Sequence, residues 1–210
     1  MSSGGAIMNI EIRNIQKKDY KQAIQYAIKG MNFNMYLDNA FLLNLYGKYF
    51  WYLELCNATQ VIAAYQNNEL VGVLLAEIKG EEKKHTTLWK RVYVKIFNFL
   101  QNTFYSGGVS LYDTANKEML EKYKMKYTPD GEIRFLAANP NINGKGIGTL
   151  LLQELSRREP GKRIYLFTDT NCTYQFYEKR GFERVGEKDI VLDMITHNAP
   201  LKCLLYSKIL

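Results

Sequence analysis

The stretch Asn139–Leu155, "NPNINGKGIGTLLLQEL", sets Gly144, Gly146 and Gly148 on alternate positions and then turns leucine-rich. The leucines from Leu150 onward have helical spacing, so a helix is expected from about Gly146 to Arg158, closed by Pro160-Gly161. The first turn of a helix has up to four backbone N–H groups without partners, and the positive end of the helix dipole lies there. Glycines just ahead of it let an anion approach the backbone with no Cβ in the way and supply positive φ where the turn needs it. The stretch is therefore read as a phosphate cradle, with Lys145 adding charge.

Three phosphate-binding patterns compete. A Walker loop needs Lys followed by Ser or Thr, and Lys145 is followed by Gly146. A dinucleotide fingerprint, G-x-G-x-x-G, fits at Gly144 and Gly146 but meets Thr149 in its third place. Asp169, at the end of the next expected strand, stands near where a ribose-binding acid belongs. Too little chain follows, however, for a doubly wound domain. The third pattern is the pyrophosphate loop of an acyl-CoA-dependent enzyme. A glycine-rich turn with no ligand is the plainer alternative.

Outward from the loop, "EIRFLAA" (Glu132 to Ala138) and "RIYLFTD" (Arg163 to Asp169) read as the flanking strands. Upstream, "NIEIRN" alternates like a short strand. "KKDYKQAIQYAIKGM" follows as a helix with Tyr20, Ala23, Ile24, Ala27 and Ile28 on one face and Gly30 as its stop. A second, aromatic-rich helix is expected from Leu37 to Cys56, and Asn67-Asn68 marks a hairpin turn. "LWKRVYVKIFNFLQNTFY" and "TANKEMLEKYKMKY" read as two helices parted by Gly107-Gly108. After the glycine loop come a short helix in "CTYQFYEKR", stopped by Gly181, and a final strand pair that includes "LKCLLYSKI". The order implies an α/β (α+β) fold: a mixed twisted sheet with helices on both faces and a helical insertion over 80–128. One domain over 1–210 is expected, with residues 1–8 a disordered leader or tag remnant.

Composition narrows the function. With 47% hydrophobic and 23% charged residues the chain is globular. The net charge of +7 is spread as single Lys and Arg residues with no long run, which points to a solvated surface and not to nucleic acid. Cys56, Cys172 and Cys203 share no metal-ligand or disulfide spacing, and His85 and His197 fit no nucleophilic triad. The longest apolar run, Leu70 to Ala76, is far short of the ~20 residues a membrane helix needs. No metal, no membrane and a cytoplasmic location are expected.

The segment Asn143-Gly144-Lys145-Gly146-Ile147-Gly148 resembles the [QR]-x-x-G-x-[GA] loop of the GCN5-related N-acetyltransferase (GNAT) superfamily, with Asn143 in place of Gln or Arg. "TDTNCTYQFYEKRGF" resembles the family's second signature through Asn171, Tyr177, Glu178, Lys179, Gly181 and Phe182. Tyr174 stands where a small residue is usual. The resemblance covers nearly the whole chain outside the insertion. It implies a GNAT-like fold whose sheet splays between Glu132–Ala138 and Arg163–Asp169.

It also implies acetyl-CoA as co-substrate. The pantetheine arm would pair with backbone groups of Leu136 and Ala138. The pyrophosphate would rest on N–H groups of Asn143, Gly144, Lys145, Gly146, Ile147, Gly148 and Thr149, and Asn171 would bond the pantetheine amide. Direct acyl transfer to an amine needs a base for the ammonium, whose pKa is about 10.4, and a proton for the leaving thiolate. The resemblance gives Tyr177 the general-acid role and makes Glu132 the candidate base. The expected activity is transfer of the acetyl group to a primary amine, on a small molecule or peptide, in a ternary complex. The alternatives are a non-catalytic acyl-CoA-binding module and an NAD-binding oxidoreductase. Aromatics between Phe33 and Trp51 and in the insertion are expected to pack mostly inward, with a remainder lining an acceptor pocket or a homodimer surface.

Overall fold

The computed structural model describes residues 10–35, 39–104, 108–142, 146–193 and 198–210. In chain order the strands are β1 (Ile10–Arg13), β2 (Gln60–Gln66), β3 (Glu69–Ile78), β4 (Gly131–Ala138), β5 (Arg163–Asp169), β6 (Glu183–Asp193) and β7 (Asn198–Ile209). The helices are α1 (Tyr20–Gly30), α2 (Ala40–Asn57), α3 (Leu88–Phe104), α4 (Gly108–Lys124), α5 (Ile147–Arg158) and the single turn α6 (Gln175–Glu178). The strands form one seven-stranded sheet in the order β1-β2-β3-β4-β5-β7-β6.

Local chemistry explains most boundaries. Asn39 caps α2 by accepting from the N–H groups of Phe41 and Leu42. Asn67 and Asn68 take φ of 50° and 63°, the left-handed pair of a tight hairpin, and so join β2 to β3 directly. The expected helix at Thr114 instead begins at Gly108: the apolar row Tyr112, Ala115, Met119, Tyr123 runs one turn further back and packs on β5 and β7. The expected helix over "CTYQFYEKR" shrinks to four residues, with Gly181 at φ 75° turning the chain into β6.

Each face of the sheet is covered. On one, α5 buries Leu151 and Leu155 against Ile62, Leu74, Ile133, Ile164 and Tyr206. On the other, α1 and α2 bury Ala23, Ala27, Trp51 and Leu55 against Val61, Val73, Leu75 and Phe135. The insertion shares this second face. There α3 stacks on α2 through Phe97 and Tyr49, whose ring centroids are 4.4 Å apart, while α4 covers β5 and β7.

Two features of β4 position the site. Leu75 lies opposite Phe135 and Ala76 opposite Ile133, so Arg134 is an extra, bulged residue. The bulge turns Phe135 toward α1 and α2 although Ile133, two residues earlier, points toward α5. On its other edge β4 pairs in parallel with β5 at Gly131–Ile164 and Glu132–Tyr165 only, and the two strands then diverge. The expected splay is present.

Candidate active site

The gap between β4 and β5 has a backbone wall whose polarity follows from the β3–β4 register. Asn139 donates its N–H to the Val71 carbonyl at 2.8 Å. Hydrogen-bonded pairs alternate along an antiparallel ladder, so Ala137–Val73 is bonded while Ala138–Gly72 and Leu136–Leu74 are not. The N–H and C=O of Leu136 and Ala138 therefore point away from β3, into the gap. At about 3.3 Å per residue, the strand from Ala138 back to Glu132 offers an edge roughly 20 Å long.

The N-terminus of α5 stands at the wide mouth. Gly146 precedes it with φ 72°, and the space beside its Cα is open, so no side chain screens the backbone there. Ile147 turns its side chain into the core, 3% exposed, and anchors the first turn on the sheet. Gly148 has a second reason for its identity. A Cβ there would lie 2.8 Å from the Phe176 ring, so its absence lets α6 close against α5. Asn143, Gly144 and Lys145 lie outside the described residues.

Thr149 carries a contact that its place in the glycine pattern did not suggest. Its hydroxyl accepts from Arg180 Nε at 2.8 Å and Nη2 at 2.6 Å. The same guanidinium lies 3.7 Å from the Phe176 ring centroid and donates to the Phe176 carbonyl. Arg180 thus fixes a positive charge beside the first turn of α5, over a shallow pocket of about 280 Å³ on that helix's flank. In sequence it is only the variable position of the Glu-Lys-x-Gly-Phe signature.

On the β5 side, Tyr177 packs edge-on against Phe176 and Phe182 and tilts over Tyr206, which pairs with Leu166 of β5. Burial, with a lesser contribution from Cys172, pushes its phenol well above the ordinary value, so the proton is held at neutral pH. Cys172 is itself pushed up to about 12 by burial and by the charge of Asp169, which keeps it a thiol. Asn171 has an exposed side chain. Its loop is tied down by backbone contacts: the N–H donates to Asp169 Oδ1 at 2.8 Å, and the carbonyl accepts from Asn32 Nδ2 at 2.8 Å.

Glu132 sits at the narrow end of the gap, in the last β4–β5 pair. Its Oε2 accepts from Tyr165 Oη at 3.2 Å and from Arg134 Nη1 at 3.1 Å. Burial raises its carboxyl above the usual range, against the opposing pull of Arg134. Arg134, aimed by the bulge, also binds Glu54 of α2 at 2.6 Å and Glu77 of β3 at 3.1 Å. Glu54 is 7% exposed, and its desolvation outweighs the cation beside it, pushing it up to about 7. Lys83 binds the other oxygen of Glu77 at 2.6 Å, so Arg134 and Lys83 together meet the three carboxyl groups of Glu54, Glu77 and Glu132. Nothing in the sequence marks Arg134, because its role depends on the bulge.

The dinucleotide reading fails on topology. Among the described strands only β4 and β5 run parallel, so there is no doubly wound sheet. Asp169, its expected ribose ligand, is committed to Asn171 and, at 3.4 Å, to the Tyr112 hydroxyl. No cluster of His, Cys, Asp and Glu that could hold a metal occurs among the described residues, and the three cysteines are free. His85 is half-buried, its pKa lowered by burial and by Lys90 and Lys84, and it stands apart from the gap on the turn before α3.

Residues 107–184 match a family model described as the acetyltransferase (GNAT) domain. No curated protein sequence matches the chain. Among solved structures, a mutant of agmatine N-acetyltransferase in its apo form is similar at 11% identity and a TM-score of 0.56, over 95% of this chain and 100% of that one. PaiA N-acetyltransferase from Thermoplasma acidophilum, in complex with coenzyme A, is similar at 14% and 0.52, over 97% and 100%. The ribosomal-protein-alanine N-acetyltransferase of Brucella melitensis is similar at 15% and 0.53, over 95% and 99%. At such identities the likeness is one of fold.

Proposed function

We propose that the chain, whose residues 107–184 match a GNAT acetyltransferase domain model, is an N-acetyltransferase that moves the acetyl group of acetyl-CoA to a primary amine by direct attack in a ternary complex. The observation that carries this reading is the open edge of β4. Its pairing with β5 ends at Glu132, and the backbone of Leu136 and Ala138 faces the gap that leads to the α5 N-terminus. An extended amide-bearing arm fits such an edge as an added strand does. Acetyl-CoA supplies the activated thioester.

The chain's own residues do the rest. The α5 N-terminus around Gly146, with Arg180 held on Thr149, concentrates positive charge at the mouth, where a diphosphate would lie. Asn171, whose loop is tethered through its backbone N–H, would bond an amide of the arm. Tyr177 keeps a phenolic proton available for a departing thiolate. Glu132, raised by burial, takes the proton of the incoming ammonium at the narrow end of the gap. A primary amine on a small molecule or peptide fits those terms.

Calorimetry with acetyl-CoA, CoA and NAD tests the cofactor class, with binding expected for the first two alone. An acetylation assay over an amine panel then tests catalysis. In that assay Tyr177→Phe is expected to lower kcat about a hundredfold while leaving the CoA dissociation constant unchanged. If the wild type binds CoA yet acetylates no amine, the chain is a binding module and the catalytic reading is lost.

A further inference from the structure

We propose that α3 is a membrane-surface contact, seating its outward apolar arc and adjoining cations on an anionic lipid bilayer. The helix is apolar on two sides. Its inner side buries Val94, and sets Tyr93 and Phe97 against Tyr52 and Tyr49 of α2. Packing inside the fold accounts for these residues. It does not account for Leu88, Trp89, Val92 and Ile96, which are 80%, 66%, 38% and 56% exposed. At 100° per residue these four fall within an arc of about 100°, the width of a buried stripe, yet it faces outward.

Charge selects what covers that arc. Leu88–Phe104 contains Lys90, Arg91 and Lys95 and no Asp or Glu. Lys90 is turned inward, 8% exposed, its ammonium donating to the His85 carbonyl at 2.7 Å. Arg91 and Lys95 are exposed and lie beside the apolar arc. A second copy of α3 laid on the first would bring these cations no carboxylate. An anionic bilayer complements both parts at once: the headgroups take the cations, and the acyl boundary takes Trp89, Ile96 and Leu88. A net charge of +7 acts in the same direction at long range. The expectation of no membrane partner came from the lack of a spanning run. Among the described residues no helix is long and apolar enough to cross a bilayer, but a helix lying in the interface does not need to be.

The test is sedimentation of the intact protein with vesicles of mixed phosphatidylcholine and phosphatidylserine, against phosphatidylcholine alone, at low salt. Partition is expected with the mixed vesicles only. Tryptophan emission gives an independent readout: Trp51 is wholly buried, so a blue shift on adding vesicles reports Trp89. The double variant Arg91→Gln/Lys95→Gln is expected to weaken partition roughly thirtyfold, and Ile96→Ser about tenfold or more. Circular dichroism melting unchanged from wild type checks that each variant folds. No partition to either vesicle, or equal partition to both, overturns the proposal. So does light scattering that shows a dimer which Ile96→Ser splits, because a second copy then covers the arc. None of these readouts depends on acetyl transfer.

Discussion

The two edges of β4 differ in almost every respect. Toward β3 the strand is paired from end to end, Gly131 opposite Ile78 through Ala138 opposite Gly72, with one bulge at Arg134. Toward β5 it is paired at Gly131 and Glu132 alone. Between these edges the same eight residues serve two purposes. The closed edge holds the strand in the core, while the open edge leaves backbone groups that no side-chain change short of proline can remove. A surface made of main chain tolerates wide sequence variation.

The sharpest way to break the comparison is a proline at neighbouring positions. Ala137→Pro deletes an N–H bonded to β3 and is expected to cost about 3 kcal/mol or more, read as a lower denaturation midpoint. Leu136→Pro deletes an N–H that faces the gap. It is expected to cost clearly less stability and to weaken CoA binding more, read by calorimetry. Equal destabilisation by the two would show that the edges are not different in kind.

A second expected effect comes from the bulge. Glu54 is pushed up to about 7 from an ordinary 4.5, so between those values the folded protein binds a proton that the unfolded chain releases. Its contribution to stability is whole below about pH 4.5 and is lost as pH rises through about 7, by at most about 3 kcal/mol. Glu54→Gln is expected to flatten that part of the thermal-melting profile. An unchanged slope would mean that Arg134 keeps Glu54 ionised throughout.

The smallest effect concerns the floor of the open side. Gly148→Ala places a methyl against the Phe176 ring and is expected to cost about 1 kcal/mol, because the ring can tilt. Calorimetry would show whether a displaced α6 also weakens CoA binding. If neither stability nor binding changes, the close approach of the two helices is incidental.

Much of the fold is legible in the sequence. The strand-like runs "EIRFLAA" and "RIYLFTD", the Asn67-Asn68 turn and the leucines after Gly148 mark elements that form with boundaries close to those expected. Their order matched too. Element order is legible because hydrophobic period and turn chemistry are local properties of the chain. The start of α4 is not legible in the sequence because "GVSLYD" has weak helical patterning, and only packing of Tyr112 in the tertiary structure shows why the helix reaches back. Aromatics in the insertion were expected to pack mostly inward. Tyr93 and Phe97 do so, whereas Trp89 does not.

The sequence by itself determined the elements, their order and a glycine turn at a helix start, since each follows from neighbours a few residues apart. Tertiary structure alone decided that β4 and β5 part after Glu132, that a bulge hands Arg134 to Glu54, Glu77 and Glu132, and that Arg180 reaches Thr149. Those contacts join residues from 2 to 80 positions apart. Their energies come from desolvation and geometry, which exist only once the chain has closed around them.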